Sequence, residues 1–167
     1  AAAYNYYSGN NNPTKVAAGS GTPFADALSA LGVNNSIGLS AWWTPEKSGW
    51  IPSISTGWGL SQSSNFKDSY LMSPFLSPKQ NASSSRVKVN SFTSQSWYVG
   101  LQWADAFLQG NTLGLAVGQP KFVTTVDYES DDESDFVADG NYAMELWYAF
   151  QVTDNITVTP AIYYLSR

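Results

Sequence analysis

"YAMELWYAFQVTDNITVTPAIYY", residues Tyr142 to Tyr164, carries a large apolar side chain at almost every second position. Tyr142, Met144, Leu146, Tyr148, Phe150 and Val152 form one series, and after Thr-Asp-Asn the beat resumes at Ile156, Val158, Pro160, Ile162 and Tyr164. The opposite parity holds Ala143, Glu145, Trp147, Ala149 and Gln151, then Thr157, Thr159, Ala161 and Tyr163. A period of two belongs to a β-strand, whose successive side chains point to opposite faces. Two such runs joined by a tight turn predict a hairpin with one apolar face and one small or polar face. That face suits the dry core of a soluble sheet, or a sheet whose outer side touches lipid.

Five further stretches keep the same beat. "AAAYNYYS" (Ala1–Ser8) is short and strand-like. "SIGLSAWW" (Ser36–Trp43) sets Ile37, Leu39, Ala41 and Trp43 against Ser36, Gly38, Ser40 and Trp42. "SISTGWGLSQ" (Ser53–Gln62) sets Ile54, Thr56, Trp58 and Leu60 against Ser53, Ser55, Gly57, Gly59 and Ser61. "SWYVGLQW" (Ser96–Trp103) sets Trp97, Val99, Leu101 and Trp103 against Ser96, Tyr98, Gly100 and Gln102. "NTLGLAVGQ" (Asn111–Gln119) sets Leu113, Leu115 and Val117 against Thr112, Gly114, Ala116 and Gly118. About seven strands are expected in all. Only "PFADALSALG" (Pro23–Gly32) offers a short helical pattern.

Composition narrows the class. The chain has 167 residues, with 15% aromatic residues and only 13% charged ones. Typical soluble domains carry about 25% charge. No run approaches the roughly 20 apolar residues of a membrane helix, and mean hydropathy is −0.22. A β-barrel escapes that test, because its lipid-facing and lumen-facing residues alternate. With no Cys and no His, Cys/His metal sites, thiol nucleophiles and imidazole bases are excluded. A net charge of −5 argues against general nucleic-acid binding. The beginning of the sequence has neither the basic region nor the apolar run of a signal peptide, so the chain reads as mature or as cut from something larger.

The connections alternate in length. "TPEKSG", "ADAFLQG" and "TDN" are short, whereas Gly9–Asn35, Ser63–Phe92 and Pro120–Gly140 are long. Tight turns on one rim and long loops on the other are the layout of an outer-membrane barrel. Trp43, Trp50, Trp103, Phe150 and Tyr164 fall near strand ends, the level at which amphipathic rings suit a membrane interface. Their plainer reading is that aromatics favour strands.

Two loops concentrate charge. "VDYESDDESDFVAD" holds Asp131, Asp132 and Glu133 among seven of the thirteen acids. It reads as a solvated external loop or as a cation-attracting one, and it lacks the glycine of an EF-hand. Lys67, Lys79, Arg86 and Lys88 mark a loop that either folds inward as a cationic constriction or is an ordinary soluble loop. Enzyme readings find little support. The strands offer essentially one acid, Glu145, where glycoside hydrolysis needs a pair, and no helix follows the Gly-rich "GNTLGLAVG" to cradle a phosphate. No enzyme activity, cofactor or metal is expected.

"WADAFLQGNTLGLAVGQP" (Trp103–Pro120) and "MELWYAFQVTDNITVTPAIYYL" (Met144–Leu165) resemble the C-terminal half of the carbohydrate-selective (OprB-type) porin family. The similarity is closest to its cyanobacterial, iron-uptake porin-like branch, and "LSAWWTP" (Leu39–Pro45) also fits. The resemblance covers roughly residues 34–165, with the long loops unmatched. It implies an all-β, antiparallel transmembrane barrel of about sixteen strands. It also implies a homotrimer in the outer membrane of a Gram-negative, cyanobacterial cell, allowing passive diffusion of small hydrophilic solutes and inorganic ions, with sugars or iron species among them. That branch also carries an N-terminal domain that binds the cell-wall polymer, which is not present in residues 1–167. About seven strands cannot close a bacterial barrel, whose count is even and at least eight, so the whole chain reads as one part of a larger barrel domain.

Parity then divides the strands. Ser40, Ser55, Gln102, Glu145, Gln151 and Thr157 are expected to face the lumen. Trp43, Trp58, Trp97, Trp103, Leu146, Phe150 and Ile162 are expected to face lipid or form its girdle. The charged loops would stand at the mouth. The partners expected are outer-membrane lipid and copies of the same chain, without nucleic acid. Two rivals stand beside this reading: a soluble β-sandwich, such as a carbohydrate-binding module with a Trp/Tyr platform, and a plugged barrel with a purely structural role.

Overall fold

The computed structural model describes residues 1–8, 33–47, 49–64, 70–71, 87–128, 135–136 and 140–166. The described elements are all strands: β1 (Ala2–Ser8), β2 (Val33–Trp43), β3 (Ser53–Ser64), β4 (Tyr70–Leu71), β5 (Val87–Ala104), β6 (Thr112–Tyr128), β7 (Asp135–Phe136), β8 (Ala143–Thr153), β9 (Ile156–Val158) and β10 (Ala161–Leu165). The helical pattern at 23–32 lies outside the described residues.

All of them join one sheet in the order β1-β2-β3-β5-β6-β8-β10, with β4, β7 and β9 pairing at the side of β5, β6 and β8. Every pairing is antiparallel. The path is an up-and-down meander of seven strands, the number expected from the alternating stretches. A β-sandwich needs two sheets packed face to face, whereas the described strands form a single layer.

Register confirms that the short turns share one rim. Trp43 pairs with Ile54, Ala104 with Thr112, and Phe150 with Val158, so the turns after β2, β5 and β8 leave the sheet on the same side. The long connections leave at the other side, where Ser8 pairs with Val33 and Ser64 with Ser91. The last hairpin is interrupted at Thr159–Pro160, where proline has no N–H to give the ladder. Its carbonyl still accepts a hydrogen bond from Tyr148 N at 3.1 Å, and the same register resumes in β10.

β5 and β6 run well past their expected ends, to 18 and 17 residues. Residues 87–92 and 120–128, expected in loops, are therefore strand. Three register shifts explain why alternation fails there. They fall at Val89/Ser91, Thr93/Ser94 and Gln95/Trp97. Each bulge changes which parity faces which side, so a strict period of two loses its phase. Among the described residues, apolar side chains are fully buried only here: Phe92, Val123 and Val126, next to buried Ser63 and Ser94. Phe92 lies opposite Ser63 on one side and Val126 on the other.

Candidate channel wall

Cross-strand partners share a face, so register sorts the side chains without reference to composition. One row runs Leu39–Trp58–Trp97–Gln119 across β2, β3, β5 and β6. Another runs Ile54–Leu101–Leu115–Leu146–Ile162 across β3, β5, β6, β8 and β10. Trp43, Trp103 and Phe150 fall on this same face. It is a continuous apolar surface, and none of these large side chains is buried; Leu39, Trp43, Leu146 and Ile162 are openly exposed. Ordinary soluble monomers rarely leave a contiguous apolar patch of more than a few hundred Å² uncovered.

The band carries indole rings at both borders. On β5 it extends from Trp97 to Trp103, a rise of roughly 20 Å, near the ~25 Å apolar band of outer-membrane barrels. At the border nearer the long connections, Trp97 Nε1 donates to Gln119 Oε1 at 2.7 Å, and Trp58 Nε1 donates to Gln95 Oε1 at 3.3 Å. At the short-turn border, Trp103 Nε1 donates to the Trp50 carbonyl at 3.1 Å. Each indole thus keeps an apolar body on the band and a satisfied polar tip at its edge.

The short-turn rim is held by a hydrogen-bond network. Asn111 is buried; its Nδ2 donates to Tyr148 Oη at 2.7 Å, and its Oδ1 accepts from Gln151 N at 3.1 Å. Tyr148 Oη in turn donates to the Ala106 carbonyl at 3.0 Å. The turn itself needs left-handed backbone at Asp105, Phe107 and Gly110, with φ of 54°, 64° and 86°. Asp105 Oδ1 accepts from Gly110 N at 2.9 Å and closes it. Phe107 packs on Tyr148, ring centroids 6.0 Å apart, which ties the β5–β6 turn to the apolar face.

The second face is built from small residues. Ser40, Gly57, Tyr98 and Gly118 form one row, and Ser55, Gly100, Ala116, Glu145 and Tyr163 form the next. Gln102 and Gln151 share this side, as does Thr157, the partner of Gln151. Two large rings cover glycines of neighbouring strands. A Cβ at Gly57 would collide with the Tyr98 ring edge, and one at Gly114 with the Trp147 indole. Ser55 Oγ covers Gly100 in the same way, 2.6 Å from where its Cβ would be.

This small-residue face is the concave one. A cavity of about 560 Å³ is bordered by every strand of the seven-strand path, from Ala3 in β1 to Tyr163 in β10. First and last strand touch the same cavity only if the sheet curls toward it. Curvature explains the glycines, because small side chains fit the tighter inner radius.

The residues expected to face lumen and those expected to face lipid thus fall on opposite faces, six on the concave and seven on the convex side. Of the charges expected at the mouth, Lys88 lies in β5 opposite Tyr70; Lys67, Lys79, Arg86, Asp131, Asp132 and Glu133 lie outside the described residues. Sequence reasoning did not single out Tyr98, Trp147 and Tyr163 on the concave face. The available signal was a large ring opposite a glycine or a lone acid on the next strand, which needs the register to be seen.

A family model described as carbohydrate-selective porin, OprB family, matches residues 1–167. No curated protein and no solved structure matches the chain significantly.

Proposed function

Because the chain belongs to the OprB family of carbohydrate-selective porins, a family of the Gram-negative outer membrane, we propose that its sheet is part of the wall of a water-filled channel for small hydrophilic solutes. Transport is passive. The carrying observation is the pairing of an uncovered apolar convex face with a concave face of Ser, Gly, Gln and one Glu. Trp43, Trp58, Trp97, Trp103, Leu146, Phe150 and Ile162 meet lipid or its headgroup border. Ser40, Ser55, Gln102, Glu145, Gln151 and Thr157 meet water. A channel of this kind needs no bond-making residue, so it acts by size, wetting and field rather than by catalysis.

The finer reading rests on the sequence resemblance. We take the segment as C-terminal in a barrel of the cyanobacterial branch, assembled as a trimer, with inorganic ions and iron species among its solutes beside sugars. We read the long connections, expected from the sequence at about 9–35, 63–92 and 120–140 and shortened by strand at 33–35, 63–64, 87–92 and 120–128, as belonging to the external mouth. Their acids and lysines bias ion choice through the local field.

Conductance of the intact protein in a planar lipid bilayer, with a salt gradient across it, tests this function. Stepwise ohmic openings are expected, and the sign of the reversal potential reports whether acidic or basic groups govern selectivity. Silence from correctly folded protein would leave a plugged, structural barrel.

A further inference from the structure

We propose, resting on the channel reading above, that Glu145 biases ion permeation toward cations from inside the channel wall, halfway up the apolar band. The register fixes its height. Glu145 pairs with Ala116, and Ala116 with Gly100. Gly100 lies midway along β5 between Trp97 and Trp103, whose indoles mark the two borders of the band. The next residue of β8, Leu146, belongs to the apolar row on the opposite face.

Among the described residues, no cationic side chain stands beside this carboxylate. Its cross-strand partners are Ala116 on β6 and Tyr163 on β10. Ala143 and Trp147 flank it on the same face of β8. Between the two Trp borders, every other described residue of the concave face has an uncharged side chain. Lys121 lies in β6 beyond the Gln119–Trp97 pair. An ionised group at membrane depth is stable only where water or a counter-charge reaches it. Glu145 is exposed and borders the cavity of about 560 Å³, so water and mobile cations supply what the wall does not. Low-dielectric walls focus such a field into the space they enclose. At about 7 Å in water, one unit charge alters the local concentration of a monovalent ion about threefold. Cations are enriched and anions depleted. The bias belongs to low salt, because the Debye length shrinks from about 30 Å at 0.01 M to about 3 Å at 1 M. Charges on the long connections act at the mouth, whereas this one acts on ions already within the wall.

The test is the reversal potential of single channels of the intact protein under a potassium chloride gradient from about 0.01 to 0.1 M. Residues 1–167 contain no cysteine, so Glu145→Cys adds one thiol to them. A methanethiosulfonate carrying a sulfonate gives that thiol a negative charge, and one carrying a trimethylammonium gives it a positive charge. Glu145→Gln supplies the neutral isostere. The side chain is exposed, so neither change is expected to prevent folding. The cation-to-anion permeability ratio should fall about threefold in Glu145→Gln and in unmodified Glu145→Cys. The sulfonate reagent should restore it, and the trimethylammonium reagent should lower it further. Near 1 M salt the differences should vanish. Equal ratios after the two reagents, or a thiol that neither reagent modifies, would overturn the role of Glu145 while leaving the channel intact. Absence of openings in folded wild-type protein would instead overturn the channel reading and this one with it.

Discussion

Two glycines on the concave face, Gly114 and Gly38, differ in what surrounds them. A Cβ at Gly114 collides with the Trp147 indole, whereas one at Gly38 meets nothing within 4 Å. Gly114→Ala must push the indole off its resting place, and steric insertions of this kind cost about 1–3 kcal/mol. Gly38→Ala should stay within about 0.5 kcal/mol of wild type, as for an open surface position. Denaturant unfolding of the folded protein in lipid vesicles checks both. Equal effects at the two sites would show that ring-on-glycine packing does not hold the wall. Individual residue types were readable in the sequence, but this packing was not. Gly57, Gly114 and Gly118 read only as small, and their partners Tyr98 and Trp147 sit on other strands, at positions fixed by a register no single strand reveals.

At the level of the strand, alternation carried most of the information. β2, β3, β8 and the middle of β5 and β6 keep one parity apolar because each has one uncovered face and one small-residue face. Their existence and the division into two side-chain faces follow from that beat. The beat fails where the pairing does, at the β5–β6 bulges, and so 87–92 and 120–128 look like loop in the sequence although they are strand. Leu146 and Glu145 are adjacent in β8 and lie on opposite faces. Arginine in the lipid-facing band of an outer-membrane barrel costs about 2–4 kcal/mol at midplane. Leu146→Arg should therefore lose stability on that scale in vesicles, while Glu145→Arg should lose little. The reverse order would mean that the faces are assigned the wrong way round.

For the molecule as a whole, the decisive features are curvature and what each face meets. Seven strands in meander order curl around one cavity, with the small residues inside and the apolar band outside. β1 and β10 each pair on one side only among the described residues, and an open sheet edge is not tolerated in lipid. The sheet therefore needs further strands, or another covering, before it can sit in a bilayer. The curl itself was not legible in the sequence, because glycine-rich parity also fits a flat sheet covered on that side. The most direct measurement is site-directed spin labelling of neighbouring pairs in three strands of the intact protein in lipid: Leu39 and Ser40, Leu101 and Gln102, Leu146 and Glu145. Labels at the three leucine positions should be relaxed by oxygen dissolved in the membrane, and those at Ser40, Gln102 and Glu145 by a water-soluble nickel chelate. Nickel-accessible leucine positions, with Ser40, Gln102 and Glu145 in contact with lipid, would contradict the account.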